Sequence, residues 1–93
     1  MVFDKARKMW QEIQKELREM GFEGIELGGK VRVVVNGEQK VQTVEIADEL
    51  LSPSEKEALQ KFVRQAANAA ITKAQQASAQ KMKSVAGDLG LNL

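Results

Sequence analysis

Basic side chains are concentrated toward the end of the sequence, and their type points to electrostatic binding. Residues 58–93 include five basic residues and one acidic residue, whereas residues 1–57 include nine basic and twelve acidic ones. A solvated helix usually carries both signs of charge, so this bias favours a polyanionic partner. Lys81 and Lys83 also have a purely structural interpretation, because cations near the end of a helix stabilise its negative pole. The charge bias alone leaves both interpretations open.

A second group of cations lies close to the N-terminus. It consists of Lys5, Arg7 and Lys8, and Asp4 is the acidic residue that offsets one of these charges. The positive pole of a helix dipole disfavours cations, unless the helix end is frayed and feels little of the dipole. A phosphate bound at this end would meet free backbone N–H groups and three cationic side chains together. The segment is therefore a candidate phosphate-binding site.

The composition excludes several classes of catalytic and metal site. The sequence has no Cys and no His, which removes thiolate nucleophiles, the common zinc sites and the usual general base near neutral pH. Residues 28–30 are Gly-Gly-Lys, but Val31 stands where a phosphate-binding loop requires Ser or Thr. Carboxylate pairs such as Glu12 and Glu16 are typical of solvated helix faces. We expect no catalysis, no metal, no cofactor and no small-molecule substrate.

Two helices carry the cations. Apolar residues spaced by three and four positions predict a helix over 3–20, with Gly21 as a left-handed cap. A longer helix is predicted over 53–85, where Ser52 is the N-cap of a capping box closed by Glu55. At 1.5 Å per residue it is about 45–50 Å long. Its far end should therefore project from the body or meet a second chain.

Residues 22–46 predict a small antiparallel sheet of about three strands. Asn36-Gly37 predicts a hairpin turn, because both residues tolerate positive φ. A two-residue turn opposes Val31 to Gln42, whereas a four-residue turn opposes Val31 to Val44. The four-residue turn is preferred because it pairs apolar residues with one another. The order helix, strands, helix predicts an α+β fold in a single domain over 1–93.

The size of the chain and its apolar pattern predict a homodimer. The chain has 93 residues, and a chain of this size buries only about 60–65% of its unfolded surface. The side chains expected between the subunits are Trp10, Ile13, Leu17, Phe62 and Ala66. No signal peptide is visible, and no stretch approaches the roughly 18 apolar residues of a membrane span, which predicts a cytoplasmic protein.

Several short motifs, each weak alone, resemble a known family in their order and spacing. The sequence reads G-x-x-x-x-G-x-V-x-V-x-x-N-G over 24–37, followed by Val44-Glu45-Ile46, Leu50-Leu51, a helix with Asn68, and Lys81-Met82. This pattern is similar to that of the YbaB/EbfC family of bacterial nucleoid-associated DNA-binding proteins, from the first helix to about Gly87. The resemblance implies a homodimer with projecting helical arms, DNA binding without strong sequence preference, and a location on the nucleoid.

Charge and resemblance together predict phosphate contacts with double-stranded DNA. The residues expected to make these contacts are Lys5, Arg7, Lys8, Lys73, Lys81 and Lys83. No recognition helix of the helix-turn-helix kind and no aromatic-rich arm is visible, so base readout is not expected. The alternative is a dimeric protein-interaction or scaffolding module without direct DNA binding, which the small net charge of +1 favours.

Overall fold

The computed structural model describes residues 2–90, with side chains from residue 4 onward. Two helices, α1 (Val2–Glu19) and α2 (Lys56–Asp88), enclose three strands in sequence, β1 (Phe22–Glu26), β2 (Val31–Val35) and β3 (Val41–Ile46). Short 3₁₀ turns over Leu27–Gly29, Asp48–Leu50 and Pro53–Glu55 join them. The α+β class and the order of the elements are confirmed.

The sheet is antiparallel in the order β1-β2-β3, and the register of its hairpin corrects the expected one. Val31 pairs with Ile46 and Val33 with Val44, so the strands are shifted by two residues from a four-residue turn. The cause is the buried Asn36, whose side-chain oxygen accepts hydrogen bonds from the backbone N–H groups of Glu38 and Lys40 at 2.9 and 3.0 Å. These bonds hold a wider loop over 36–40. A β-bulge between Val34 and Val35 accounts for the rest of the two-residue shift in register.

Helix α2 packs directly on the inner face of β1 and β2. Val31, Val33 and Val35 point toward it and are at most 1% exposed, and Ala66, Ala70 and Ala74 of α2 are fully buried against them. Alanines four residues apart lie along one face of a helix and allow its backbone to approach the sheet. The alanine-rich face of α2 therefore makes a tight contact with the sheet.

The structure corrects the backbone conformations expected for Gly37 and Gly21. Gly37 does not have positive φ; the left-handed residue of the hairpin loop is Gln39, with φ of 65°. Gly37 is required for close approach instead, because its N–H donates to the Leu17 carbonyl at 2.7 Å and a Cβ would lie 2.7 Å from that oxygen. Gly21 is not left-handed either, and α1 ends at Glu19 without that cap. The C-terminal end of α1 is therefore held by the hairpin loop.

The start of α2 differs from the expected capping box. The Ser52 side chain forms no capping hydrogen bond and instead lies 3.1 Å from the Ser54 hydroxyl. A 3₁₀ turn over Pro53–Glu55 comes first, and its backbone bond from the Glu55 N–H to the Ser52 carbonyl is 3.0 Å long. The backbone thus replaces the expected side-chain cap. The helix then continues for 33 residues, three residues beyond the expected end at 85.

The molecule is elongated, with principal extents of 61 × 20 × 16 Å. The sheet covers the first half of α2, and the second half runs beyond it beside α1. No helix within residues 2–90 combines the length and apolar character needed to cross a membrane.

Candidate nucleic-acid interface

Helix α1 and the second half of α2 form an antiparallel two-helix arm. The Lys81 ammonium of α2 forms an ion pair with the Glu16 carboxylate of α1 at 2.8 Å. A shallow groove between the two helices continues from that pair, lined on one side by Met9, Glu12, Ile13 and Glu16 and on the other by Lys81, Ser84, Val85 and Asp88. The first residues of α1 therefore lie beside the last residues of α2.

This arrangement brings two basic segments, distant in sequence, to the same end of the molecule. We call Lys5, Arg7, Lys8 and Lys83 the arm-tip cluster. The Glu16–Lys81 pair places Lys83 level with Gln14, about 9 Å along the arm from Lys8 at 1.5 Å per residue. All four cations are exposed, and none forms an ion pair with a side chain that the structure describes. Their charge is available to a ligand.

The other two predicted contacts are engaged within the chain. The Lys81 ammonium forms the ion pair with Glu16 that joins the two helices of the arm. Lys73 lies ten residues before Lys83 on α2, about 15 Å away, and donates to the backbone carbonyl of Glu23 at 2.7 Å. The structure therefore groups four of the six predicted cations and assigns internal contacts to Lys73 and Lys81.

Cations at the sheet end are mostly neutralised by carboxylates. Arg32 contacts Glu23 at 2.6 Å and Glu45 at 3.0 Å on the sheet face opposite α2. The hydrogen bond that Arg32 donates to the Glu23 carboxylate raises the pKa of the Arg32 guanidinium above its ordinary value. Lys30 pairs with Glu49 at 3.2 Å. The unpaired positive charge is therefore biased toward the helices.

Two exposed cations of α2 were not among the predicted contacts. Lys61 and Arg64 lie on the solvent side of the helix, and neither pairs with a carboxylate among residues 4–90. The signal that could have identified them is the absence of acidic residues between Glu57 and Asp88. The prediction used only the distal half of that segment.

The residues predicted at a dimer interface are in different environments. Ile13, Leu17 and Ala66 are covered by their own chain, at 6%, 5% and 0% exposure, and leave a second subunit little to bury. Phe62 is half-buried. Trp10 is 42% exposed on α1 and is available to a partner.

Sequence reasoning missed an exposed apolar strip beside the core. Val44 lies on the same sheet face as the buried Val33, yet it is 50% exposed because α2 packs on β1 and β2 and does not cover β3. Val41 and Leu51 are exposed as well, at 56% and 63%. We call Val41, Val44 and Leu51 the apolar strip. The exposure of Val44 depends on the path of α2, which the strand sequence does not encode.

A solved structure shares this fold. A crystal structure of an uncharacterized protein from Helicobacter pylori matches with a TM-score of 0.71 and 22% identity, covering 86% of this chain and 93% of that chain. At this identity the likeness shows the fold.

Sequence relatives and a family model identify the protein family. A protein of Chloroflexus aurantiacus named nucleoid-associated protein is 35% identical over 85 residues, which cover 91% of this chain and 85% of the relative. One of Clostridium acetobutylicum with the same description is 32% identical over 89 residues, 96% of this chain and 78% of the relative. The model of the YbaB/EbfC DNA-binding family matches residues 2–89. With the resemblance seen in its motifs confirmed over nearly its whole length, the chain belongs to the YbaB/EbfC DNA-binding family.

Proposed function

We propose that this protein is a nucleoid-associated protein that binds double-stranded DNA through its phosphates, with little dependence on base sequence. The observation that carries the proposal is the arm-tip cluster, in which four exposed cations from two distant segments lie in the same part of the arm. The family description and the names of the relatives agree with DNA as the ligand.

The arm tip suits phosphate binding for two physical reasons. Lys5, Arg7 and Lys8 lie in the first turns of α1, where the backbone N–H groups at a helix start are free to bind an anion. Long cationic side chains reach several phosphates and release their counterions, which supplies affinity without reading bases. The cluster therefore favours binding that tolerates sequence differences.

A homodimer would present two arms to the same duplex. The apolar strip and Trp10 are surfaces that a second subunit can cover, because these large apolar side chains are exposed in the single chain. Burial of apolar area contributes about 25 cal/mol per Å². Two arms would double the cationic contacts, so that a chain of net charge +1 still presents two basic ends.

The test is a gel shift with two duplexes of equal length and unrelated sequence. We expect both to bind at about 50 mM salt and micromolar protein, with affinities within a few-fold of each other. No binding to either duplex would contradict the proposal. It would favour the alternative function, a protein-interaction module that uses the exposed Trp10 and the apolar strip.

A matched pair of variants identifies the surface that binds. Lys5→Gln/Arg7→Gln/Lys8→Gln removes three charges from the arm tip, and Lys30→Gln/Lys40→Gln/Lys56→Gln removes three exposed charges from the sheet end. The first should weaken binding to both duplexes alike and the second should not. Equal losses would show that net charge, and not the arm tip, controls the affinity.

A further inference from the structure

The solvent side of α2 carries a continuous polar ridge that shares only Lys83 with the arm-tip cluster. Its residues are exposed and follow one another at spacings of three or four, which places them along one side of the helix. We call this set the α2 ridge: Lys61, Arg64, Asn68, Thr72, Gln76, Gln80 and Lys83. The ridge is cationic at both ends and neutral but hydrogen-bonding in the middle.

The polar groups of the ridge side chains have no partner within the described part of the chain. None forms a hydrogen bond or ion pair to another side chain or backbone group within residues 4–90. The one contact is the Lys61 ammonium 5.5 Å from the centre of the Phe62 ring, which leaves its charge intact. No carboxylate lies on α2 between Glu57 and Asp88 to repel an anion.

The length of the ridge matches the repeat of a DNA duplex. Lys61 and Lys83 are 22 residues apart, which is about 33 Å along a helix. One turn of B-DNA is about 34–36 Å. The two cationic ends can therefore contact the same strand one turn apart when the duplex axis runs parallel to α2.

The middle of the ridge supplies donors where the second strand crosses. Asn68, Thr72, Gln76 and Gln80 are exposed amides and a hydroxyl, and such groups donate to phosphate oxygens in protein–DNA contacts. They carry no charge, so they would contribute little to the salt dependence.

We infer that the α2 ridge is a DNA-contacting surface that orients the duplex along the helix and continues from the arm tip through Lys83. The inference rests on the proposed function, because it assigns a second contact surface to the same ligand. Charge complementarity and the match in length select double-stranded DNA as the occupant of this helix face.

The test compares two double variants in a salt titration with one duplex of about 20 base pairs. Lys61→Gln/Arg64→Gln removes two charges from the ridge, and Lys40→Gln/Lys56→Gln removes two exposed charges elsewhere. The ridge variant should flatten the slope of log K against log salt by about 1 to 2 per chain, since each phosphate contact contributes about 0.9. The control should keep the wild-type slope.

A neutral variant tests the middle of the ridge. Gln76→Ala/Gln80→Ala keeps the charge and favours the helix, so it should weaken binding about threefold to tenfold with an unchanged salt slope. Wild-type affinity for both the charge variant and the neutral variant would overturn the ridge while DNA binding by the arm tip stands. Absence of binding by the wild-type protein would instead overturn the proposed function, and the ridge with it.

Discussion

At the scale of single residues, Gly24 is required because the backbone of α2 approaches it closely. A Cβ on Gly24 would lie 1.8 Å from the Ala66 carbonyl oxygen, because α2 crosses β1 at that point. The contact is with backbone, so no side chain can move aside to relieve it. This long-range contact is not encoded in the local sequence around Gly24.

Gly24→Ala should therefore destabilise the protein strongly. We expect a loss of about 3 kcal/mol in the free energy of unfolding, because overpacking at a rigid contact forces backbone shifts. Gly87→Ala is the matched control: it lies within α2 with open space around its Cβ position, and should gain up to about 1 kcal/mol. Urea denaturation at equal protein concentrations measures both. A Gly24→Ala variant as stable as wild type would contradict the described helix–sheet contact.

Residue contacts also decide which cations can be tested for DNA binding. Reversing Lys81 together with Lys83 would place a carboxylate beside Glu16 and loosen the arm, so a loss of binding would have two explanations. Lys5, Arg7 and Lys8 are suitable targets, because they are exposed and lie where a helix tolerates loss of positive charge.

At the scale of elements, periodicity and turn residues predicted the order and type of every helix and strand. The three-and-four spacing of apolar residues identified α1, and the Asn36-Gly37 turn identified the hairpin of β2 and β3. The predicted hairpin register was wrong because the Asn36 side chain holds a loop wider than the Asn-Gly pair alone indicates. A side chain that binds its own backbone changes the loop length without changing the sequence signal.

The start of α2 gives a prediction at this scale. Because the Ser52 side chain forms no capping bond, Ser52→Ala should change the free energy of unfolding by less than about 0.5 kcal/mol, as at an ordinary surface site. Thermal unfolding followed by circular dichroism measures this change. A loss of about 1 kcal/mol or more, the size typical of a removed N-cap, would show that Ser52 caps the helix after all.

At the scale of the whole molecule, the arm tip is the feature that sequence reasoning could not place. The basic residues of α1 and α2 were recognised separately, each with a structural alternative. Their location in the same part of the arm follows from the antiparallel packing of the two helices, which the Glu16–Lys81 pair and the groove residues define. The internal contacts of Lys73 and Lys81 are equally long-range, and local sequence patterns do not encode them.

The apolar strip carries the prediction on assembly. Val44→Lys should convert the proposed dimer to a folded monomer, because a charge would be buried at the interface. Thr43→Lys is the control, since it places the same side chain on the opposite sheet face of the same strand. Light scattering gives the mass and circular dichroism the fold. A dimer that survives Val44→Lys would exclude the strip as the interface.

The salt dependence of DNA binding is the most direct test of phosphate contacts at the arm tip. Neutralisation of about 4–8 phosphates per dimer gives a slope of roughly −4 to −7 for log K against log salt. We expect Lys5→Gln/Arg7→Gln/Lys8→Gln to flatten this slope by about 0.9 for each phosphate contact that is lost, and Lys30→Gln/Lys40→Gln/Lys56→Gln to leave it unchanged. An identical slope for the arm-tip variant and the wild type would contradict DNA binding at the arm tip.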